Sequence, residues 1–356
     1  VRNVFKQPEL ANLKMKVLFV YAGMHPAHKP FVEAVKADVY PAYHKDVNGF
    51  VKFVEGLKMA REYPDYDVYI LEGGMPMFPM YLRKKLLRKN GIVVGLLADE
   101  TFINLVERQP HYSTAETLIH RISVNVLDAA IAVSPFVKEY AERIIDVPIE
   151  VVRPPIPKGS YEKLGKVKPN LESNIIISVG QPRFSIGMDI LVEQFKLVKK
   201  QIPELELWIV GKGHPKDYEK VDGVRVLGYV EDLAEVFEEA SLFVHAGRCS
   251  AYPIATLEAM RASLPVVVST MTGTKEIVER VENKIKEEFG LNYEGNKFIR
   301  PLNRIFEGIE EYYKFDVDVR EEMSKMYKRV SEEFEPKRRA EEFKEKFKKI
   351  TRIRKW

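Results

Sequence analysis

Short apolar runs that alternate with helix-like segments constrain the fold of this chain more than any other feature. Each run is continuously apolar for most of its length, and many end at a glycine or a small polar residue. Strands that are apolar on both faces are typical of parallel sheets covered by helices on both sides. The runs occupy residues 16–21, 67–73, 92–98, 129–134, 149–152, 174–180, 205–210, 224–227, 242–245 and 264–269, with a further short strand around Val39.

The alternation is interrupted once, at residues 153–170, which are rich in proline, glycine and lysine. This composition is typical of a linker between domains. The chain has 356 residues, more than one core usually accommodates. We therefore predict an α/β protein with two Rossmann-like, doubly wound parallel-sheet domains, at 1–155 and 156–335, facing across a cleft. A charged terminal helix, about 336–356, is expected to pack back on the first domain.

Charge and cysteine content exclude several classes of function. The net charge is only +4, and residues 344–356 hold seven Lys or Arg and one Glu, so no broad basic face for nucleic acid is expected. The basic tail could touch an anionic membrane surface, or form the solvated face of a helix. Cys249 is the only cysteine, which excludes an intrachain disulfide. No run is long enough to span a bilayer and residues 1–16 have no apolar signal core, so we expect a cytoplasmic protein.

The second half carries three loops at strand ends that suit a phosphorylated ligand. One loop starts at Gly180, one is Gly211-Lys212-Gly213, and one joins a strand to a helix that starts at Pro253. Proline is favoured at a helix start, and the free amides there form an anion site. Glu258 follows about one turn later, where a carboxylate can accept hydrogen bonds from sugar hydroxyls. The alternative for Glu258 is a buried, hydrogen-bonded structural acid.

The order of these segments resembles the second domain of the glycogen-synthase-like, group 1 glycosyltransferases. The matching stretches, within residues 174–279, are ISVG followed by GMDILVEQF, PELELWIVGKG, VRVLGYVEDLAEVFEEASLFVHAGR and YPIATLEAMRASLPVVVSTMTGTKEIV. The first half resembles the family more loosely, through a glycine turn after the first strand and through residues 128–134. The resemblance implies a GT-B fold, a retaining transfer from a nucleotide-sugar to a hydroxyl of a glycan or lipid-linked acceptor, no cofactor and no essential metal.

Three positions depart from the pattern of that family. Glu258 matches the acid that binds the nucleotide ribose, but Ser250 stands where the family has a second glutamate near the donor sugar. Gln181 and Ile186 stand where the family has an Arg and a Lys that contact the diphosphate. Fixed cations stabilise the charge of a departing diphosphate, so their loss requires a replacement. The candidates for this replacement are Arg183, Lys212 and Arg248.

The resemblance and the strand ends together predict the site residues. The predicted donor-binding residues are Gly23, Met24, Gly180, Arg183, Lys212, Tyr229, Val230, Arg248, Pro253, Ile254, Ala255, Thr256 and Glu258. The predicted catalytic positions are His25, Asp99 and Ser250, and the predicted acceptor-side residues are Glu72, Glu100 and His111. No metal is predicted, because none of the candidate clusters has the ligand set of a metal site. These clusters are the pair His25 and His28 and the Asp-x-Asp triplets at residues 65–67 and 316–318.

Two alternative functions remain open at this stage. The departures at Gln181, Ile186 and Ser250 would also suit a catalytically weak or inactive relative that keeps the cleft as a binding module. A dinucleotide-dependent oxidoreductase is disfavoured, because no G-x-G-x-x-G follows either first strand. The sequence specifies neither the base and sugar of the donor, nor the acceptor, nor the oligomeric state.

Overall fold

Two six-stranded parallel sheets organise the chain, one in each half. The structure is a computed structural model and describes residues 15–42, 49–110 and 112–352. The first sheet has the strand order β2-β1-β3-β4-β5-β6. Its strands are β1 (Val17–Tyr21), β2 (Asp38–Pro41), β3 (Val68–Glu72), β4 (Ile92–Leu97), β5 (Ala129–Ala132) and β6 (Ile149–Val151).

The second sheet repeats this plan with the strand order β12-β11-β10-β7-β8-β9. All its strand pairs are parallel, with Ile175 opposite Glu206 and Phe243 opposite Val266. Its strands are β7 (Ile175–Val179), β8 (Glu206–Val210), β9 (Val224–Gly228), β10 (Leu242–His245), β11 (Val266–Ser269) and β12 (Ile299–Arg300). In both sheets the order reverses beside the first strand, so the carboxyl ends of neighbouring strands open a crevice there.

Helices cover both faces of the sheets, and the buried face of each sheet and helix forms the core. In the first half they are α1 (Lys29–Val35), α2 (Gly49–Glu62), α3 (Met77–Lys85), α4 (Thr101–Glu107), α5 (Thr114–Ser123) and α6 (Pro135–Glu142). In the rest of the chain they are α7 (Lys158–Leu164), α8 (Met188–Gln201), α9 (Leu233–Glu239), α10 (Ile254–Arg261), α11 (Lys275–Phe289), α12 (Ile305–Tyr313), α13 (Val317–Ser331) and α14 (Pro336–Arg352).

The predicted fold class is confirmed, with two local corrections. The helix expected near residues 81–88 begins earlier, at Met77, because Pro79 lies in its first turn, where a missing amide proton costs nothing. The stretch predicted as a linker contains α7, which starts directly after Pro157. The boundary predicted between residues 155 and 156 falls between the two sheets and stays a prediction.

The two halves contact each other through the terminal helix and through polar pairs. In α14, Phe343 stacks on Phe31 of α1 with ring centroids 4.3 Å apart. Ser134 Oγ, before α6, donates to the carbonyl oxygen of Ala251 at 3.1 Å. Arg153 forms a bidentate pair with Glu276, with N–O distances of 2.6 and 2.9 Å. These contacts bring the carboxyl ends of both sheets to one cleft.

Part of the basic tail is engaged by the first sheet. Lys346 donates to the carbonyl oxygen of Val151 at 2.6 Å, and Lys349 pairs with Glu150 at 2.5 Å. Both cations therefore face β6, and residues 353–356 lie outside the described part of the chain. In the part that the structure describes, no helix combines the length and the apolar character needed to cross a membrane.

Candidate active site

A cavity of about 610 Å³ lies at the carboxyl ends of β7, β8 and β9. Side chains and backbone from both halves line it, as expected for a ligand site between doubly wound sheets. Six residues predicted from the sequence lie together in its wall: His25, Gly180, Lys212, Tyr229, Val230 and Glu258. Tyr229 is 74% exposed, so its ring is available for stacking on a flat ligand.

Close backbone contacts shape the loops of this wall. Gly211 has φ +147°, and a Cβ there would lie 1.8 Å from the carbonyl oxygen of Gly180. Only glycine allows these two strand-end loops to touch. His214 Nε2 also bonds to the Gly180 oxygen at 2.8 Å, which fixes the same contact. The loops after β7 and β8 are therefore held side by side at the cavity.

Glu258 presents a carboxylate to this cavity from an otherwise apolar helix. Its neighbours Leu257 and Ala259 are fully buried in the core, whereas Glu258 is half-buried and lines the cavity. Burial raises the pKa of the Glu258 carboxyl, and a hydrogen bond from Ser160 opposes the rise. Such a weakly solvated carboxylate favours partners that donate hydrogen bonds, such as vicinal hydroxyl groups.

The start of α10 offers fewer free amides than the sequence predicts. Of the four predicted residues, Pro253 has no amide proton, and the amide of Thr256 donates to the Pro253 oxygen at 3.2 Å. The Thr256 side chain is fully buried. Ile254 and Ala255 are half-buried, and their amides at the helix start are the remaining candidates for an anion. The prediction is therefore corrected to these two amides.

His25 reaches the cavity from the turn after β1. Its Nδ1 accepts a hydrogen bond from the Ala27 amide at 3.2 Å, so the proton of the neutral ring is on Nε2. Burial, together with the nearby His28, lowers the pKa of His25 to about 4. At neutral pH the ring is therefore an uncharged hydrogen-bond donor. Gly23 and Met24 lie in the same turn but outside the cavity wall.

Asp99 connects two loops through both of its carboxylate oxygens. Its Oδ2 accepts from the Gly74 amide at 2.8 Å, and its Oδ1 accepts from the Thr101 amide at 3.1 Å. At Gly73, which has φ +72°, a Cβ would lie 2.4 Å from Asp99 Oδ2. Asp99 therefore holds the loops after β3 and β4 together, and its catalytic role stays a prediction.

Two of the three predicted acceptor-side residues, Glu72 and Glu100, lie in the described part of the chain. Glu72 is half-buried, and its carboxylate forms a hydrogen bond with His28 Nδ1. Glu100 is half-buried, and the pKa of its carboxyl is raised by burial and by Asp99, while Arg183 of the second half opposes the rise. Of Glu72 and Glu100, it is therefore Glu100 that faces the cleft. His111 lies outside the described residues.

Comparison with known proteins identifies the second half. Residues 173–290 match the family model described as "Glycosyl transferases group 1". These residues form a group 1 glycosyltransferase domain. An uncharacterized glycosyltransferase of Haemophilus influenzae is 28% identical over 137 residues, 36% of this chain and 37% of that protein. The mannosylfructose-phosphate synthase of Agrobacterium fabrum is 26% identical over 120 residues, 29% of this chain and 26% of that protein. The matches thus span less than two fifths of either relative.

Solved structures extend the similarity to the whole fold. A sucrose-phosphate synthase from Thermosynechococcus elongatus superposes with a TM-score of 0.72 at 13% identity, over 95% of this chain and 100% of that chain. Anabaena HepE, crystallised with UDP, superposes with a TM-score of 0.67 at 15% identity, over 94% and 100%. The glycosyltransferase domain is therefore the second half of a GT-B fold, as the sequence predicts.

In this glycosyltransferase domain Ser250 is buried and lies outside the wall of the cavity. It is 7% exposed, and its Oγ bonds to His245 Nε2 at 2.8 Å. Its backbone is paired on both sides, to the Met271 oxygen and to the Gly273 amide, each at 3.0 Å. This pairing and the bond to His245 hold Ser250 in the interior, and its catalytic role stays a prediction.

Two of the three candidate cations remain available to a phosphate. Arg248 is already committed, because it makes a bidentate pair with Asp189 at 2.8 and 2.6 Å and lies 4.4 Å above the Phe184 ring. In this conformation the guanidinium is directed at Asp189, and its role as a phosphate ligand stays a prediction. Arg183 and Lys212 are exposed at the mouth of the loops after β7 and β8.

Sequence reasoning missed the contribution of α7 to the wall. Ser160 and Lys163 of this helix line the cavity, and Lys163 forms an ion pair with Asp232 at its rim. The composition of the surrounding segment indicated a linker, and no local pattern marks these side chains as functional. Among the described residues, no group of three or more His, Cys, Asp or Glu is arranged to hold a metal ion.

Proposed function

We propose that the chain is a retaining glycosyltransferase that moves a sugar from a nucleoside diphosphate to a hydroxyl acceptor. One observation carries the proposal: the cavity combines an exposed ring at Tyr229, the Glu258 carboxylate and a neutral His25 from the opposite half. A base, a ribose and a phosphate require these three kinds of partner. The matched domain and the UDP bound to HepE support the same assignment.

The donor would extend from the cavity toward the start of α10. Its base would stack on Tyr229 beside Val230, and its ribose hydroxyls would donate to Glu258. Its diphosphate would accept from the amides of Ile254 and Ala255. Arg183 and Lys212 would supply positive charge, each charge-assisted hydrogen bond contributing about 1.5–3 kcal/mol. This charge replaces that of the two family cations absent at Gln181 and Ile186.

The transfer needs no carboxylate base from the first half. The bond between the sugar C1 and the phosphate oxygen breaks, and its electron pair leaves with the diphosphate. The acceptor oxygen bonds to C1 on the same face, and its proton passes to the departing phosphate oxygen. His25 Nε2–H would donate a hydrogen bond to the donor, and the resident groups require no cofactor or metal. The engagement of Asp99 by backbone amides fits this scheme.

A panel of UDP-, GDP- and ADP-sugars tests the proposal by calorimetry and by transfer to simple glycosides. We expect one nucleotide class to bind and to be consumed in an acceptor-dependent reaction whose product keeps the anomeric configuration. Absence of binding across the panel, at millimolar ligand, would contradict the proposal.

A second candidate function is a nucleotide-sugar binding protein without transferase activity. The buried Ser250 and the commitment of Arg248 to Asp189 favour it, because both positions lack a group directed at the donor. Binding of a donor without hydrolysis or transfer, with every acceptor tried, would select this function over the first.

A further inference from the structure

The helices α2, α3 and α5 form one layer beside the first sheet, and the outer side of this layer is apolar in part. The connections through these helices cross the sheet in the same direction, so right-handed crossovers place all three on one face. Within the layer, α3 contacts both α2 and α5. We call their solvent-facing side the α2–α3–α5 face; it comprises the exposed side chains of residues 54–62, 85–90 and 114–122.

Four large apolar side chains are exposed on the α2–α3–α5 face. They are Val54 of α2, Leu86 directly after α3, and Leu118 and Ile122 of α5, each between 41% and 59% exposed. Only four other large hydrophobic side chains of the described residues are exposed to a similar degree, and they are spread over β2, α8, β9 and the loop after β9. Single exposed apolar residues are common, whereas a group on one face indicates an interaction surface.

Cations surround these apolar side chains. Among the described side chains of the α2–α3–α5 face, the exposed charged residues are Lys58, Arg61, Glu62, Lys85, Arg88, Lys89 and Arg121. Six of these seven are basic, although the whole chain has 56 basic and 52 acidic residues. The acids at the edge are already paired, Glu62 with Lys58 at 3.8 Å and Asp65 with Lys89 at 3.0 Å. The face therefore carries a net positive charge.

The basic helix α14, which the sequence suggests as a membrane contact, has a different exposed side. Its exposed lysines are interspersed with Glu341 and Glu345, and its aromatic residues Phe343 and Phe347 are buried. In addition, Lys349 pairs with Glu150 of β6. In its described part α14 thus exposes no large apolar side chain, whereas the α2–α3–α5 face combines such side chains with cations.

This combination favours an anionic bilayer over a protein or a nucleic acid. Protein interfaces are enriched in aromatic residues and depleted of lysine, but the aromatic residues of α3, Phe78 and Tyr81, are half-buried. Nucleic acid phosphates would attract the cations and would gain nothing from exposed leucine. At a membrane surface, apolar side chains enter the boundary of the acyl chains while lysine and arginine reach the phosphate groups.

We propose that the α2–α3–α5 face docks this protein on a bilayer that contains anionic phospholipids. Leu118 and Ile122, one turn apart on α5, would enter the interface. Lys85, Arg88 and Arg121 would lie at the headgroups, where each cation strengthens binding by about fivefold. The inference does not depend on the proposed function, because the donor cavity lies at β7, β8 and β9 of the second half.

The charge of the face is tested by sedimentation of the full chain with lipid vesicles. We expect wild type to bind vesicles of phosphatidylglycerol and phosphatidylcholine, less tightly as salt is raised, and to bind pure phosphatidylcholine far more weakly. Lys85→Glu combined with Arg88→Glu should weaken binding to the anionic vesicles at least about tenfold. The control combines Lys200→Glu with Lys216→Glu, which gives the same net charge on exposed positions of the second half and should change binding less than about twofold.

The apolar part of the face is tested in the same assay. Leu118→Ser combined with Ile122→Ser should weaken binding to the anionic vesicles at least about tenfold, because both side chains lose apolar surface that the bilayer would cover. Leu197→Ser is the control, since Leu197 is exposed on α8 of the second half, and it should bind like wild type. All these side chains are exposed, so the variants should keep the thermal midpoint of wild type.

Three results would overturn the proposal. The first is that wild type does not bind anionic vesicles even at low salt. The second is that the variant with Lys85→Glu and Arg88→Glu still binds, whereas Arg354→Glu combined with Lys355→Glu abolishes binding, because the tail would then be the contact. The third is a wild-type dimer in analytical ultracentrifugation that Leu118→Ser and Ile122→Ser dissociate, without vesicle binding by either. Donor binding by calorimetry should be the same in all variants, so the proposed function is tested separately.

Discussion

Acidification should weaken the fold through His245, which lies beneath the candidate site. The imidazole is 1% exposed and bonds to Ser250 Oγ, and burial lowers its pKa from 6.5 to about 4. The unfolded chain therefore binds this proton more readily than the folded chain. The contribution of His245 to the free energy of unfolding is therefore fully present above about pH 6.5. It decreases as the pH falls and stops decreasing below about pH 4.

The size of the effect follows from the two pKa values. At pH 5 the imidazole is almost fully protonated in the unfolded chain and mostly neutral in the folded one, which costs about 2 kcal/mol of unfolding free energy relative to pH 7.5. The complete loss, below pH 4, is about 3 kcal/mol. Other groups titrate in the same range, so the contribution of His245 is the difference between wild type and a variant without the imidazole.

The assay is urea unfolding of wild type and His245→Gln at pH 7.5 and pH 5. Glutamine can still hydrogen-bond Ser250 but does not titrate, so the variant should lose about 2 kcal/mol less than wild type between these pH values. Ser250→Ala is the control, because it removes the hydroxyl and keeps the buried imidazole, and it should retain the wild-type pH dependence. Equal pH dependence of wild type and His245→Gln would refute the reasoning.

Three further substitutions test the site. Glu258→Gln should reduce nucleotide affinity, measured by calorimetry, about tenfold to a hundredfold, because hydrogen bonds to a charged acceptor are stronger than those to a neutral one. The control Glu231→Gln, in the same cavity wall, should change the affinity far less. Gly211→Ala should lower the unfolding free energy by more than about 1 kcal/mol, since its Cβ would overlap the Gly180 oxygen; an unchanged thermal midpoint would contradict the contact. Asp99→Asn should destabilise the fold by about 1–3 kcal/mol in urea titrations; unchanged stability with lost transfer would instead identify a catalytic base.

Much of the fold and part of the site could be predicted from local patterns. The strands were recognisable because burial on both faces requires a continuous apolar run, as in IVVGLLA before Asp99. Their alternation with helices determines a parallel sheet, and the ligand site then follows at the carboxyl ends of the strands. Glu258 could be found because it departs from the apolar composition of α10, and Gly211 because a glycine directly follows β8.

The partners of Ser250, Arg248 and Asp99 were decided only by the tertiary structure. Arg248 is paired with Asp189, 59 positions earlier in the chain, and Asp99 accepts from Gly74, 25 positions earlier. Ser160 lines the same cavity as Glu258 only because α7 packs against α10. A side chain acts through whatever its free donors and acceptors reach, and for these residues the partners come from distant segments that no local pattern reveals. The sequence thus determined where a ligand can bind, and packing determined which side chains are free to bind it.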